Sequence, residues 1–171
     1  MPHQPSDTKA EIAVLTVSDT RSLETDSSGQ KIVELLHASG HTVSQREIVR
    51  DEPDEIATMV SGWAKERNIQ VIIVTGGTGP SQRDITPDTL APMFTTQLPG
   101  FGELFRYLSF KEIGSASMLS RAVGGWMDVD GTRKPMFVIP GSPKAVELAL
   151  TQIIIPELGH LLDVCSVGVK P

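Results

Sequence analysis

Residues 71–88, VIIVTGGTGPSQRDITPD, hold the densest set of groups in this chain able to do chemistry. Gly76, Gly77 and Gly79 follow a run of apolar, mostly β-branched residues that reads as a strand buried on both faces. Lacking Cβ atoms, these positions let the backbone turn tightly and bring its N–H groups against a ligand. Thr75 and Thr78 add hydroxyls, and Arg83 sets a cation beside the carboxylate of Asp84. Thr86-Pro87 reads as a helix start, with Thr86 as N-cap and Pro87 at the first helical position. A strand, a glycine loop and a helix start in succession suit a phosphate. The loop is not a Walker A motif, because no Gly-Lys-Ser/Thr closes it, and it is not GxGxxG. The glycines alone fit an ordinary strand-to-helix turn equally well; Arg83 and Asp84 tilt the reading towards a site.

Three further segments carry candidate groups. The apolar run 11–18 ends in Ser18 and Asp19, at the end of a strand where open α/β sheets place ligand contacts. Plain turn chemistry explains these two residues as well. Asp51 follows a looser strand pattern at 41–50 and is read either as the N-cap of the next helix or as a second site carboxylate. Residues 140–144, PGSPK, form a third glycine-bearing junction: Gly141 turns the chain, Ser142 caps a helix, and Lys144 stands in a first turn where a cation opposes the helix dipole, which hints at an anion. Ser115, Ser117 and Ser120 lie in GSASMLS, which reads as a ligand wall or as a tight helix contact.

The elements that must position these groups alternate. A capping-box spacing at Ser27-Ser28-Gly29-Gln30 opens one amphipathic helix, which ends near Gly40. Ile56, Met59, Val60 and Trp63 recur at helical spacing in another. Leu98-Pro99-Gly100 breaks the chain before an apolar stripe of Phe101, Leu104, Phe105 and Leu108. Asp130-Gly131 marks a hairpin, and a short last helix runs from Pro156. Strands alternating with helices, plus one hairpin, predict a three-layer α/β/α sandwich around a mostly parallel mixed sheet. The expected organisation is a flexible arm over 1–10, one domain over 11–163 and a tail over 164–171.

A length of 171 residues suits one domain with a proper core. A net charge of −6 argues against general affinity for nucleic acid or anionic membrane, so an anionic ligand needs a local basic site. A single cysteine, Cys165, excludes an internal disulfide and suits a reducing cytoplasm. The polar N-terminus lacks an apolar signal core, and no stretch is expected to span a membrane.

Taken in order, TGGTG, RDITPD, PGFGELFRYLS, EIGSASMLSRA and IPGSPKAVELAL resemble the MoaB/MogA family of molybdenum cofactor biosynthesis proteins, the MoaB branch more closely, over roughly residues 12–162. The resemblance implies a molybdopterin-binding fold and adenylylation of molybdopterin with Mg-ATP, giving adenylyl-molybdopterin and pyrophosphate. By motif it implies that Asp84 and Asp51 are the catalytic carboxylates, and they are the residues expected to gather Mg2+. It matches the loop Thr75–Gly79 to the pterin and phosphate site, with Arg83, Ser115, Ser117, Ser120, Gly141, Ser142 and Lys144 contributing. It further implies a homo-oligomer, a trimer or a hexamer, for which Phe101, Phe105 and Trp126 are either interface anchors or core. The other reading from the resemblance is a molybdopterin-binding or scaffold protein of the same pathway without turnover.

Overall fold

A computed structural model describes residues 7–166. Six strands form one sheet in the order β2-β1-β3-β6-β5-β4. They are β1 (Glu11–Val17), β2 (Thr42–Val49), β3 (Val71–Thr75), β4 (Thr96–Gln97), β5 (Val123–Val129) and β6 (Thr132–Ile139). β2, β1, β3 and β6 are mutually parallel; β5 returns antiparallel to β6, and β4 pairs antiparallel with β5. The β5–β6 turn is Asp130-Gly131, with φ 50° and 76° at the two residues, so the glycine meets a real left-handed demand.

The strands sort their side chains by the two-residue period. Ile12, Val14, Val71 and Ile73 join Phe137 and Ile139 on one face. Ala13, Leu15, Ile72, Val74, Met136 and Val138 face the other way. The first face is covered by α1 (Ser27–Ala38), α4 (Pro99–Ile113), α5 (Pro143–Ala149) and α6 (Ile155–Ser166), the second by α2 (Pro53–Lys65) and the short α3 (Thr86–Leu90). This is the expected three-layer sandwich.

Several local expectations are corrected. The N-cap of α1 is Asp26, whose buried carboxylate accepts from Gly29 N at 2.9 Å, so the Ser27 capping box does not form. The same carboxylate accepts from the Thr16 hydroxyl (2.7 Å) and Arg46 (3.2 Å), binding α1 to the sheet. Pro99 and Gly100 do not break the chain; Pro99 opens α4, its fixed φ being preset for a first turn. Phe101 and Phe105 are core residues, Phe101 stacking obliquely on Phe137 at 5.0 Å between centroids. Pro143–Ser166 is one 24-residue helical run, passing through a π-helical turn at Leu150–Ile154. By length and composition it could cross a membrane, contrary to expectation, but Val146, Leu150, Ile154, Leu158 and Leu162 are buried against the sheet.

Of the arm expected over 1–10, positions 7–10 are described. Thr8 bonds Asp163 at 3.0 Å, and Ala10 is buried, donating its N–H to His41 Nδ1 at 3.2 Å. Burial, and secondarily the charge of Lys9, holds the His41 pKa below its ordinary value. The ring is therefore kept neutral as an acceptor in the fold, whereas the unfolded histidine protonates near pH ~6.5. Its contribution is fully present above that pH and is lost as pH falls through the lowered folded value. The thermal midpoint is expected to fall from pH 7 to pH 5 more steeply in the wild type than in His41→Gln. The variant should also be about 1 kcal/mol less stable at pH 7. Parallel pH profiles from calorimetry would contradict this.

Lys134 on β6 is also buried, and it donates Nζ to the carbonyls of Trp63 (3.4 Å) and Glu66 at the end of α2. A cation at a helix C-terminus satisfies orphan carbonyls and complements the negative end of the dipole. Burial lowers its pKa.

Candidate functional site

The carboxyl ends of β1, β3 and β6 converge on the glycine loop. Gly76 N donates to Ile139 O at 3.0 Å, and the Thr75 hydroxyl donates to Pro140 O at 3.0 Å. Gly76 has φ +104°, and a Cβ there would lie 2.3 Å from Val17 O. A Cβ on Gly141 would lie 3.2 Å from Gly76 Cα. Three strand ends thus meet backbone to backbone, and glycine at 76 is required by both angle and space.

The loop then passes the two carboxylates. Gly77 has φ +63°, and the point its Cβ would occupy is 2.3 Å from Thr86 Oγ1 and 3.1 Å from Asp51 Oδ1. The corresponding point at Gly79 is 2.7 Å from Asp84 Oδ2. Asp51 and Asp84, 33 positions apart in sequence, therefore border one loop. Asp51 does not cap α2; Glu52 holds that position, with no side-chain bond. Burial raises the Asp51 pKa first, the neighbouring charge of Asp19 next, and the Asp84 charge adds to it. Asp84 Oδ2 accepts from Ser81 N at 3.1 Å.

Cations frame this acidic centre. Arg83 donates to Asp19 (2.8 Å) and Glu52 (3.2 Å), and its guanidinium holds the Asp19 carboxyl below the usual range. Asp19 Oδ1 also accepts from Asp51 N at 3.1 Å. Arg121, unnoticed as a site residue in the sequence, fastens the loop. Its N donates to Thr78 O (2.9 Å), Nε to Gly79 O (3.0 Å), Nη1 to Asp88 (2.7 Å) and Nη2 to the Asp84 carbonyl. The only signal for it was a lone cation between a small-residue segment and a strand. Glu52 gave none beyond its place beside Asp51.

The remaining candidates divide. Ser18 Oγ accepts from Thr20 N (3.3 Å) and Arg21 N (3.2 Å), which is turn chemistry, whereas Asp19 joins the site. Ser142 is the N-cap of α5, accepting from Ala145 N at 3.3 Å. Gly141 is drawn to the loop by position, and its carbonyl accepts from Ser28 at 2.6 Å. Lys144 lines a groove with Leu108, Lys111, Glu147 and Thr151, residues of α4 and the α5 run, none of them from the glycine loop. GSASML forms a 3-10 helix with Ser115 exposed and Ser117 buried. Half-buried Ser120, just after it, leads directly into Arg121 and so is the nearest of the three in sequence to the residue that fastens the loop.

Among the described residues no three His, Cys, Asp or Glu side chains gather closely enough to hold an ion alone. Magnesium, however, is commonly held by one or two carboxylates with substrate phosphates and water. Asp51 and Asp84 supply that number. Thr86 adds a fully buried Oγ1 with no hydrogen-bond partner, aimed at the space left by Gly77. The donor set is all oxygen and fits such a cation.

The family described as "Probable molybdopterin binding domain" matches residues 13–160. A molybdenum cofactor biosynthesis protein B from Staphylococcus aureus (strain COL) is 50% identical over 153 residues, covering 88% of both chains. A crystal structure of a molybdenum cofactor biosynthesis protein B superposes with a TM-score of 0.89 at 40% identity, covering 94% of this chain and 98% of the other. The tungsten cofactor synthesizing protein MoaB from Pyrococcus furiosus gives 0.83 at 33% identity, covering 94% and 99%.

Proposed function

This chain belongs to the molybdopterin-binding domain family of MoaB/MogA-type cofactor biosynthesis proteins, and from that premise we propose that it binds molybdopterin beside the glycine loop and adenylylates it with Mg-ATP. The observation that supports this most is the shared border: Asp51 at Gly77 and Asp84 at Gly79. Two polyanions must approach each other, and a glycine-rich loop flanked by two carboxylates answers that need if a cation comes with the nucleotide.

An oxygen of the molybdopterin phosphate forms a bond to the α-phosphorus of ATP while the α–β anhydride bond breaks. Pyrophosphate leaves with the electron pair. The attacking oxygen is already ionised, so no general base is required. Backbone N–H groups of Gly77–Gly79 orient phosphate oxygens, and Arg83 exchanges its carboxylate partners for phosphate. Asp51 and Asp84 would hold magnesium, which when bound neutralises charge on the nucleotide phosphates.

The protein is further proposed to work as a homo-oligomer in the cytoplasm. Leu104, Tyr107, Phe110, Ile113, Met118 and Leu119 are exposed along α4 and the following 3-10 helix, a row of apolar groups that supports self-association. Trp126, half-buried with the Arg133 guanidinium 5.7 Å above its ring, is not part of that row. A free Cys165 is consistent with a reducing compartment.

The test is pyrophosphate release from purified protein given ATP, Mg2+ and molybdopterin. The expected result is release that depends on all three. Saturable molybdopterin binding without pyrophosphate would replace this reading with that of a non-catalytic binding protein.

A further inference from the structure

Thr86 was expected to cap a helix, and it does not. Ile85 holds the N-cap position of α3, no side chain caps it, and Thr86 N is instead tied to Gly77 O at 3.1 Å. This bond pulls Thr86 against the loop and leaves its hydroxyl buried without a partner. A buried polar atom with nothing to bond is costly, and an apolar side chain of the same shape would avoid that cost. Valine has that shape.

What the hydroxyl faces gives it a use. Thr86 Oγ1 and Asp51 Oδ1 lie 2.3 and 3.1 Å from one point, the missing Cβ of Gly77, and so are at most 5.4 Å apart. Two oxygens binding one magnesium at about 2.1 Å stand no more than about 4.2 Å apart, which this limit admits. Gly77 keeps the space between them clear. We infer that Thr86 is a ligand residue of the site, its hydroxyl oxygen acting with Asp51 as a donor to the divalent cation. The inference rests on the metal-dependent reading above.

The experiment is a Mn2+ titration followed by the electron paramagnetic resonance signal of free Mn2+. It is run on wild type, Thr86→Val and Thr86→Ser, with and without α,β-methylene-ATP, beside thermal melts. Thr86→Val is expected to weaken Mn2+ binding by 10-fold or more. It should melt no lower than wild type, because it removes an unpaired buried hydroxyl. Thr86→Ser, which keeps the oxygen, should stay within about 3-fold of wild type. If Thr86→Val does not fold, Thr86→Ala carries the same expectation for Mn2+.

Unchanged Mn2+ affinity in the variants lacking the hydroxyl overturns the inference. So does a loss confined to nucleotide binding measured without Mn2+, which would assign the hydroxyl to a phosphate. A wild type that binds no Mn2+ in either arm overturns it together with the metal part of the proposed function. A wild type that binds Mn2+ through Thr86 yet releases no pyrophosphate would sink the adenylylation reading and leave this inference standing.

Discussion

Asp84→Asn is expected to lower pyrophosphate release by about 10^3-fold while molybdopterin binding stays near the wild-type level. The two effects separate because of how the side chain is held. Asparagine has the same shape, and its carbonyl oxygen can still accept the 3.1 Å bond from Ser81 N that anchors Asp84 Oδ2. The Asp84 main-chain carbonyl remains fastened by Arg121. The loop is therefore expected to keep its form. What disappears is one unit of negative charge beside Gly79, which the proposed reaction needs for the cation accompanying ATP. An anionic pterin meets less repulsion in the variant, so its binding has no electrostatic reason to weaken. Asp51→Asn should behave alike on the Gly77 side. Steady-state turnover within a few-fold of wild type in either variant would remove that residue from the reaction.

Gly76→Ala is expected to be the most damaging single methyl group in the chain. The left-handed angle of +104° costs a residue with a Cβ about 1–2 kcal/mol. The added atom would stand 2.3 Å from Val17 O, a backbone group that cannot swing aside. Relieving such overpacking costs about 1–3 kcal/mol more. The sum is about 2–5 kcal/mol, against a total stability of about 5–15 kcal/mol for an ordinary domain. At roughly 2–4 °C per kcal/mol for a chain of this size, the midpoint should fall by about 4–20 °C. Gly62→Ala is the control: it lies on the exposed side of α2 with nothing within 4 Å of the added atom, and should gain up to about 1 kcal/mol. Equal melting of the two variants would mean that the strand ends do not press together as described.

The parts of this architecture that depend on neighbours in the chain were legible beforehand. The two-residue and near-four-residue periods mark the strands and main helices, and a loop with three glycines in four positions betrays its own steric demand. Asp84 was visible because it follows that loop directly. Contacts across the fold left no such trace. Lys134 reads as a strand residue near a turn, and only the end of α2, about 70 positions away, explains its burial. Arg83 reads as a free phosphate ligand, yet it is engaged by Asp19 and Glu52. Caps failed for a related reason. Ser27 and Thr86 are good cap residues, but Asp26 reaches the α1 amide first, and Gly77 O captures Thr86 N. β4, two residues long, is too short to show any period and exists through its pairing with β5.

The wide turn at Leu150–Ile154 has a meaning of its own. Val146, Leu150, Ile154, Leu158 and Leu162 recur at strict intervals of four. On an unbroken α-helix that interval precesses, carrying the last member about 160° round the axis from the first. One end of the seam would then look away from the sheet. Slackened winding in the middle turns the second half back, so a single apolar edge stays in contact from Val146 to Leu162. Loosened coiling here is the mechanical condition under which an interval-of-four pattern can cover a flat surface.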